Sequence, residues 1–386
     1  MSQPAKGGLL PGAATGHRHP SLNFARGLAI VAPDMGPKYL SPALHRRSLL
    51  LCAAAAALAP PSLAAEKAPA IAQDVAALGA PDTALEAKIT ALANEAGLPR
   101  VGFAAVDVTK GTTAFVRGGE LFPMQSVYKL PIAVAYLRMV QRNEARLETR
   151  ARLTEDDIAP GRSPIAARLR RKPTVFTARQ LLEHMLLNSD NTATDALMRL
   201  AGGPEKIQAT IRAFAIDGLR VDRYERDLQP QALGLEPTPA FADLAKLEAA
   251  VAALGEEKQR QALARYLRDP RDTASPRAVA NLITKILSGH LIQPRYAALL
   301  FDLMRRTKTG EDRLKAGLPD GWAFAHRSGT SMTVGGAIAA FNDVGLATRK
   351  DAKVVIVLFI EGATLPADEL ARFHRAAARA VFQAWI

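Results

Sequence analysis

The sequence predicts an α/β fold of the α+β kind: one antiparallel sheet assembled from both ends of the chain, with helices on its faces and a mostly helical second lobe. Three observations predict it. VGFAAVDV (101–108) and TTAFVRG (112–118) are rich in Val, Thr and Phe and flank Lys110-Gly111, so they read as a hairpin. GGAIAAFNDV (335–344) and KVVIVLFIEG (353–362) read as strands near the other end. Between these pairs, from Ser126 to about Leu300, Ala, Leu, Arg and Glu recur at helical spacing.

In chain order, residues 1–65 read as an N-terminal extension with an export signal. HRRSLLLCAAAAALAPPSLAA (45–65) has a charged start, an apolar run from Leu49 to Ala59, and small residues after Pro60-Pro61. The run is too short to span a bilayer stably. Cleavage is expected near Ala64 or Ala65, giving a periplasmic or secreted protein. Arg46-Arg47-Ser48-Leu49-Leu50 resembles a twin-arginine signal, and both that route and the general one stay open. Met35 is a second candidate start. Residues 66–84 read as an Ala/Pro-rich linker entering a helix around 83–97. Thr177 is a candidate N-cap for a helix over 178–188, and Thr238 or its neighbours for one over 240–254. PADELARFHRAAARAVFQAW (366–385) closes the chain as an amphipathic helix.

Composition excludes several functions. The chain has 386 residues and a formal net charge of +13, but the basic residues are spread rather than gathered into a stripe. With no recognisable nucleic-acid module either, nucleic acid is not an expected partner. The single cysteine, Cys52, excludes an internal disulfide and a cysteine zinc site, and no His-x3-His pair is present. No metal or cofactor is expected. A monomer is expected.

Chemistry concentrates in three blocks. In FPMQSVYK (122–129), Ser126 and Lys129 are one helical turn apart. A serine hydroxyl needs a base, and a lysine enclosed in a cleft can lose its proton readily enough to serve. Ser189-Asp190-Asn191 follows the helix 178–188, and its residue types also suit an N-cap. There Ser189 could shuttle a proton and Asn191 could hold a substrate amide. His326-Arg327-Ser328-Gly329-Thr330 leads into the final strands. Arg327 supplies positive charge, Ser328 and Thr330 supply hydroxyls for a carboxylate, and Gly329 allows a ligand to approach the backbone closely.

Ser-x-x-Lys, Ser-Asp-Asn and a basic-[Ser/Thr]-Gly block, in that order, resemble the class A serine β-lactamases. The resemblance runs from about residue 85 to 386. Asp222 to Gln229 (DRYERDLQ) resembles the family's acidic loop, Asp272 to Pro276 its exit, and Gly321-Trp322-Ala323 the approach to the third block. Ser189 precedes Glu225 by 36 residues and Asp272 precedes Arg327 by 55, as the family's spacing requires. The resemblance implies a five-stranded antiparallel sheet and a small-molecule β-lactam substrate. It implies a Ser126 acyl-enzyme, with Lys129, Ser189 and Glu225 moving protons. It implies that Asn191, Gln229, Arg313, Arg327, Ser328, Gly329 and Thr330 bind substrate. An Arg223–Asp272 pair would close the base of the loop.

Five departures stand out. Arg327 replaces the usual lysine, Gln229 replaces a shorter asparagine, and Arg162 stands where an aromatic residue fringes the cleft. Lys308-Thr309-Gly310 spells the usual third block but lies before Trp322, and receives no catalytic role. The largest is a separation of 47 residues between Glu225 and Asp272. The extra text, about 230–271, reads as amphipathic helices that form a lid, a contact surface or an inert excursion. Two alternatives remain: a D-Ala-D-Ala carboxypeptidase or transpeptidase, and a β-lactam-binding sensor without turnover.

Overall fold

The computed structural model describes residues 81–386. The signal-like segment 45–65, and the linker as far as residue 80, lie outside the described residues. Five long strands form the main sheet: β1 (Arg100–Asp107), β2 (Thr112–Val116), β3 (Ala323–Thr330), β4 (Ala337–Arg349) and β5 (Ala352–Ala363). Their order is β2-β1-β5-β4-β3, every neighbour antiparallel, and a two-residue strand at Thr333–Val334 adds to β4. The first and last long strands thus pair at the centre, with Val106 opposite Val355.

Alternation explains how the sheet joins two cores. Phe103 and Ala105 of β1, with Val354, Ile356 and Leu358 of β5, face the terminal helices α1 (Thr83–Glu95) and, at the C-terminus, Ala367–Trp385. Ala104 and Val106, with Val355, Val357 and Phe359, face the helical lobe. Strands covered on both faces read as near-continuous apolar runs, as KVVIVLFIEG does.

In the lobe, α2 (Lys129–Gln141) is buried nearly all round and acts as its axis. Around it lie α3 (Ala178–Asn188), α4 (Asn191–Leu200), α5 (Pro204–Arg212) and α6 (Glu225–Ala232). Next come α7 (Leu244–Ala253), α8 (Glu256–Tyr266), α9 (Pro276–Leu287) and α10 (Pro294–Arg305); the terminal helix is α11. Thr177 caps α3 as expected, its hydroxyl accepting from Gln180 N while Gln180 returns a bond to Thr177 N.

Three expectations need correcting. The helix expected over 240–254 starts at Leu244: Thr238 caps only a 3₁₀ turn, Pro239–Ala242, and Asp243 then caps α7 by accepting from Ala245 N at 3.0 Å. The strand expected from 335 starts at Ala337, because Gly335 and Gly336 both take positive φ in the turn before it. The third motif block does not lead into the sheet; it is the edge strand β3 itself.

The insertion is folded. Its α7 and α8 enclose a small core of Leu233, Phe241, Leu247, Val251 and Val334, which fastens it to the end of the sheet.

Candidate active site

Ser126 sits in a 3₁₀ turn, Gln125–Tyr128, that runs into α2. Gln125 holds this turn in a left-handed conformation (φ 47°), unusual for a residue with a side chain, and its buried amide is bonded on both sides. Gly329 of β3 lies against the turn. A Cβ there would be 3.2 Å from Ser126 N and 3.1 Å from Val127 N, and would overlap Met124 O. The expectation that Gly329 admits a ligand is therefore corrected. The backbone that approaches it is the protein's own.

Lys129, one turn on from Ser126, is fully buried. Its ammonium lies 3.1 Å from Ser126 Oγ, 2.6 Å from Asn191 Oδ1, 3.0 Å from Ser189 O, 3.3 Å from Ser189 Oγ and 2.8 Å from Glu225 Oε1. Burial lowers its pKa and the Arg327 charge pushes the same way, while Glu225 opposes them.

Ser189 ends α3 in a left-handed conformation (φ 60°), which turns its hydroxyl to within 2.9 Å of Ser126 Oγ. Asp190, not Ser189, caps α4: its carboxylate accepts from Ala193 N and Ile165 N, each at 2.8 Å. Asn191 gives its oxygen to Lys129 and its amide hydrogens to Pro160 O at 2.7 Å. Both ends of that amide have protein partners, so it positions Lys129 as well as lining the cleft.

Glu225 opens α6 and is fully buried. Its backbone N–H donates to Asp195 Oδ1 at 2.6 Å and that of Arg226 to Asp195 Oδ2 at 3.1 Å, so Asp195 fixes the start of the helix. Burial pushes the Asp195 carboxyl up to about 6. Gln229, one turn along, donates to Glu225 Oε2 at 2.7 Å and to Gln125 Oε1 at 3.2 Å. Gln125 in turn donates to the buried Tyr266 hydroxyl at 2.8 Å. Below them Arg223 pairs with Asp272 at 2.6 Å and Asp269 at 3.1 Å, closing the loop base despite the insertion.

Arg327 needs a second correction. It was expected on the substrate carboxylate. Its guanidinium is instead fully buried behind the cleft, donating to Ser126 O and Leu186 O, each at 3.0 Å, and to Ser189 Oγ. Burial lowers its pKa to about 10. Arg313 does line the cleft, on the side of the edge strand, bonded to Asn342 O at 2.7 Å, Gly329 O at 3.2 Å and the Thr330 hydroxyl. Its guanidinium lies 3.6 Å from the Phe341 ring centroid.

The cleft holds about 550 Å³. Of the residues singled out from sequence, Ser126, Ser189, Asn191, Gln229, Arg313, Ser328 and Thr330 line it; Lys129, Glu225 and Arg327 stand behind it. Arg162 lines its rim. Sequence reasoning missed Gln125, Asp195 and Tyr266, whose roles depend on contacts between distant segments. It also set Thr309 and Gly310 aside, yet both line the cleft, and Ser328 Oγ donates to Thr309 Oγ1 at 3.0 Å. The insertion contributes Leu244 and Glu248 to the wall.

Comparison with known proteins gives the family and agrees with the fold. A family model described as "Beta-lactamase enzyme family" matches residues 84–385. A β-lactamase of Streptomyces albus G is 29% identical over 318 residues, covering 82% of this chain and 88% of that protein. The crystal structure of a β-lactamase from Chitinophaga pinensis superposes with a TM-score of 0.63 at 25% identity, covering 78% of this chain and 99% of that one. An ancestral class A β-lactamase gives 0.63 at 26%, covering 78% and 100%. The chain belongs to the beta-lactamase enzyme family, with class A enzymes as its structural neighbours.

Proposed function

We propose that this chain hydrolyses the β-lactam amide of penicillin- and cephalosporin-type compounds through a Ser126 acyl-enzyme that Glu225-activated water releases. The observation that carries the reading is the line of contacts from Ser126 Oγ, hydrogen-bonded to Lys129 Nζ at 3.1 Å, on to Glu225 Oε1, ion-paired with the same ammonium at 2.8 Å. A serine acylated by a substrate needs only the first half of that line. A carboxylate at its far end is what the hydrolytic half requires.

Proton counting supports the chemistry. An ammonium has three protons, and five acceptor contacts surround Lys129. Asn191 Oδ1, Glu225 Oε1 and Ser189 O can only accept, and they lie nearer than either serine hydroxyl. Passing one proton to Glu225 leaves Lys129 a lone pair for the Ser126 hydroxyl. Burial, which disfavours the ammonium, lowers the cost of that transfer.

Ser126 Oγ then attacks the lactam carbonyl as its proton passes to Lys129. The oxyanion falls to the Ser126 and Thr330 backbone N–H groups, on the turn and edge strand that Gly329 brings together. Ser189, 2.9 Å from Ser126 Oγ, relays a proton to the departing nitrogen. Arg313, Ser328 and Thr330 receive the substrate carboxylate. Arg327 acts through space and by holding Ser189. Once Lys129 has passed the Ser126 proton on, Glu225 returns its own to the neutral amine and is a carboxylate again; steadied by Gln229, it takes a proton from water as the water attacks the ester. That proton returns to Ser126 as the acid leaves. None of these steps calls for a metal or cofactor. The signal-like segment 45–65 places this activity outside the cytoplasm in our reading.

The test is steady-state hydrolysis of benzylpenicillin and a chromogenic cephalosporin, with intact mass recorded during turnover. Hydrolysis of either without a lasting adduct supports the proposal. An adduct that persists overturns the hydrolytic half.

A further inference from the structure

A second groove of about 610 Å³ opens off the cleft, and the insertion builds one of its walls. The two cavities share Gly161 and Leu244. Gly161 lies beside Asn191 on the helical-lobe wall, whereas Arg313 is anchored on the sheet wall through Gly329 and Asn342. A substrate whose carboxylate is drawn to Arg313 therefore directs its opposite substituent toward the shared mouth. Leu244 stands at that mouth with 46% of its surface exposed, an apolar side chain turned to solvent at the first position of α7.

The groove has a built framework. Arg170 spans it by donating to Ala242 O at 2.8 Å, which ties the insertion to the helical lobe. Ser163 is fixed by bonds to Thr192 and Ala159 O. Asp243 also lines the groove and is engaged as the α7 cap, accepting from Ala245 N. The charges that remain are of both signs: Glu155 and Asp156 from the helical lobe and Lys246 from the insertion, all exposed and none paired in an ion bridge of the described residues.

We propose that this groove is a substrate subsite that takes the acylamino substituent of the β-lactam, and that it selects a substituent ending in an amino acid head, with one ammonium and one carboxylate. Glu155 and Asp156 meet the ammonium, Lys246 meets the carboxylate, and the alkyl stem crosses Leu244. The inference rests on the hydrolytic reading of Ser126 and adds to it the class of substrate.

The experiment compares kcat/KM for an aminoadipyl penicillin and for benzylpenicillin, which differ only in that substituent. The native protein is expected to prefer the aminoadipyl compound by about tenfold or more. Glu155→Gln with Asp156→Asn, and separately Lys246→Ala, are expected to bring the ratio of the two values toward one, chiefly through KM. Thermal melting of each variant reports whether it folds; for one that does not, Leu244→Ser is read instead and should lower the same ratio. Equal rates in the native protein, or a ratio that every folded variant preserves, overturn the subsite while leaving hydrolysis intact. Failure to acylate with either compound overturns both readings.

Discussion

Lys129 Nζ lies 2.8 Å from Glu225 Oε1, and neither side chain reaches solvent. A buried pair of this kind is costly to break one partner at a time, because the other charge is left uncompensated. It is also poised for proton transfer, since burial opposes the ammonium that the carboxylate stabilises.

Replacing Glu225 by Gln separates the two halves of the reaction. Acylation persists, deacylation slows by about 10²- to 10⁴-fold, and the adduct accumulates. The pH profile shifts as well. Glu225 raises the Lys129 pKa, so its loss lowers that pKa further and moves the acid limb of acylation to lower pH. Stopped-flow acylation rates across pH, with intact mass, read both effects. Rapid product release by Glu225→Gln would remove Glu225 from its assigned role.

Tyr266 belongs to the insertion, yet its hydroxyl ends the chain Tyr266–Gln125–Gln229–Glu225. Tyr266→Phe leaves a buried amide donor of Gln125 unpaired, a loss of about 1–3 kcal/mol. The left-handed turn that carries Ser126 loosens with it. Chemical denaturation should register the stability loss, and kcat should fall more than KM rises. A variant with native kcat would mean that the insertion does not support the catalytic turn.

Gly329→Ala tests the strand–turn contact. The added methyl overlaps Met124 O and crowds Ser126 N, so β3 and the turn must separate. Misplacement of reacting groups by about 1 Å can cost roughly 10²-fold in rate. Overpacking should cost about 1–3 kcal/mol in stability. Unchanged activity with an unchanged melting temperature would show that the two segments are not in the contact described.

Asp195 is the anchor of Glu225, and its carboxyl is raised to about 6 by burial from an ordinary value of 3.8. Between those values the folded state binds more protons than the unfolded chain, so this group makes stability fall as pH rises from about 4 to 6. Asp195→Asn removes that slope. The difference between native and variant unfolding free energies, measured from pH 4 to 7, should therefore change through this window and level off above it. A pH-independent difference would contradict the assignment.

The architecture was legible because its signals are local. The 101–118 hairpin announces itself by composition and by Lys110-Gly111, and the buried strands by continuous apolar runs. The nucleophile, the Ser189–Asn191 turn and Glu225 were legible as motifs with fixed spacing. Arg327 shows what spacing omits. The motif gives its position on β3 but not that its side chain turns inward to two carbonyls and Ser189. Tyr266 and Gln125 meet across 141 residues, a contact that no local pattern encodes. Thr309 was set aside by its order in the chain, although in space it stands beside Ser328.

The most direct test of the central claim is intact mass recorded alongside benzylpenicillin hydrolysis, for the native protein, Ser126→Ala and Glu225→Gln. The account predicts turnover without a lasting adduct in the native protein, neither turnover nor adduct in Ser126→Ala, and a persistent adduct in Glu225→Gln. A lasting adduct on the native protein, or turnover by Ser126→Ala, would contradict it.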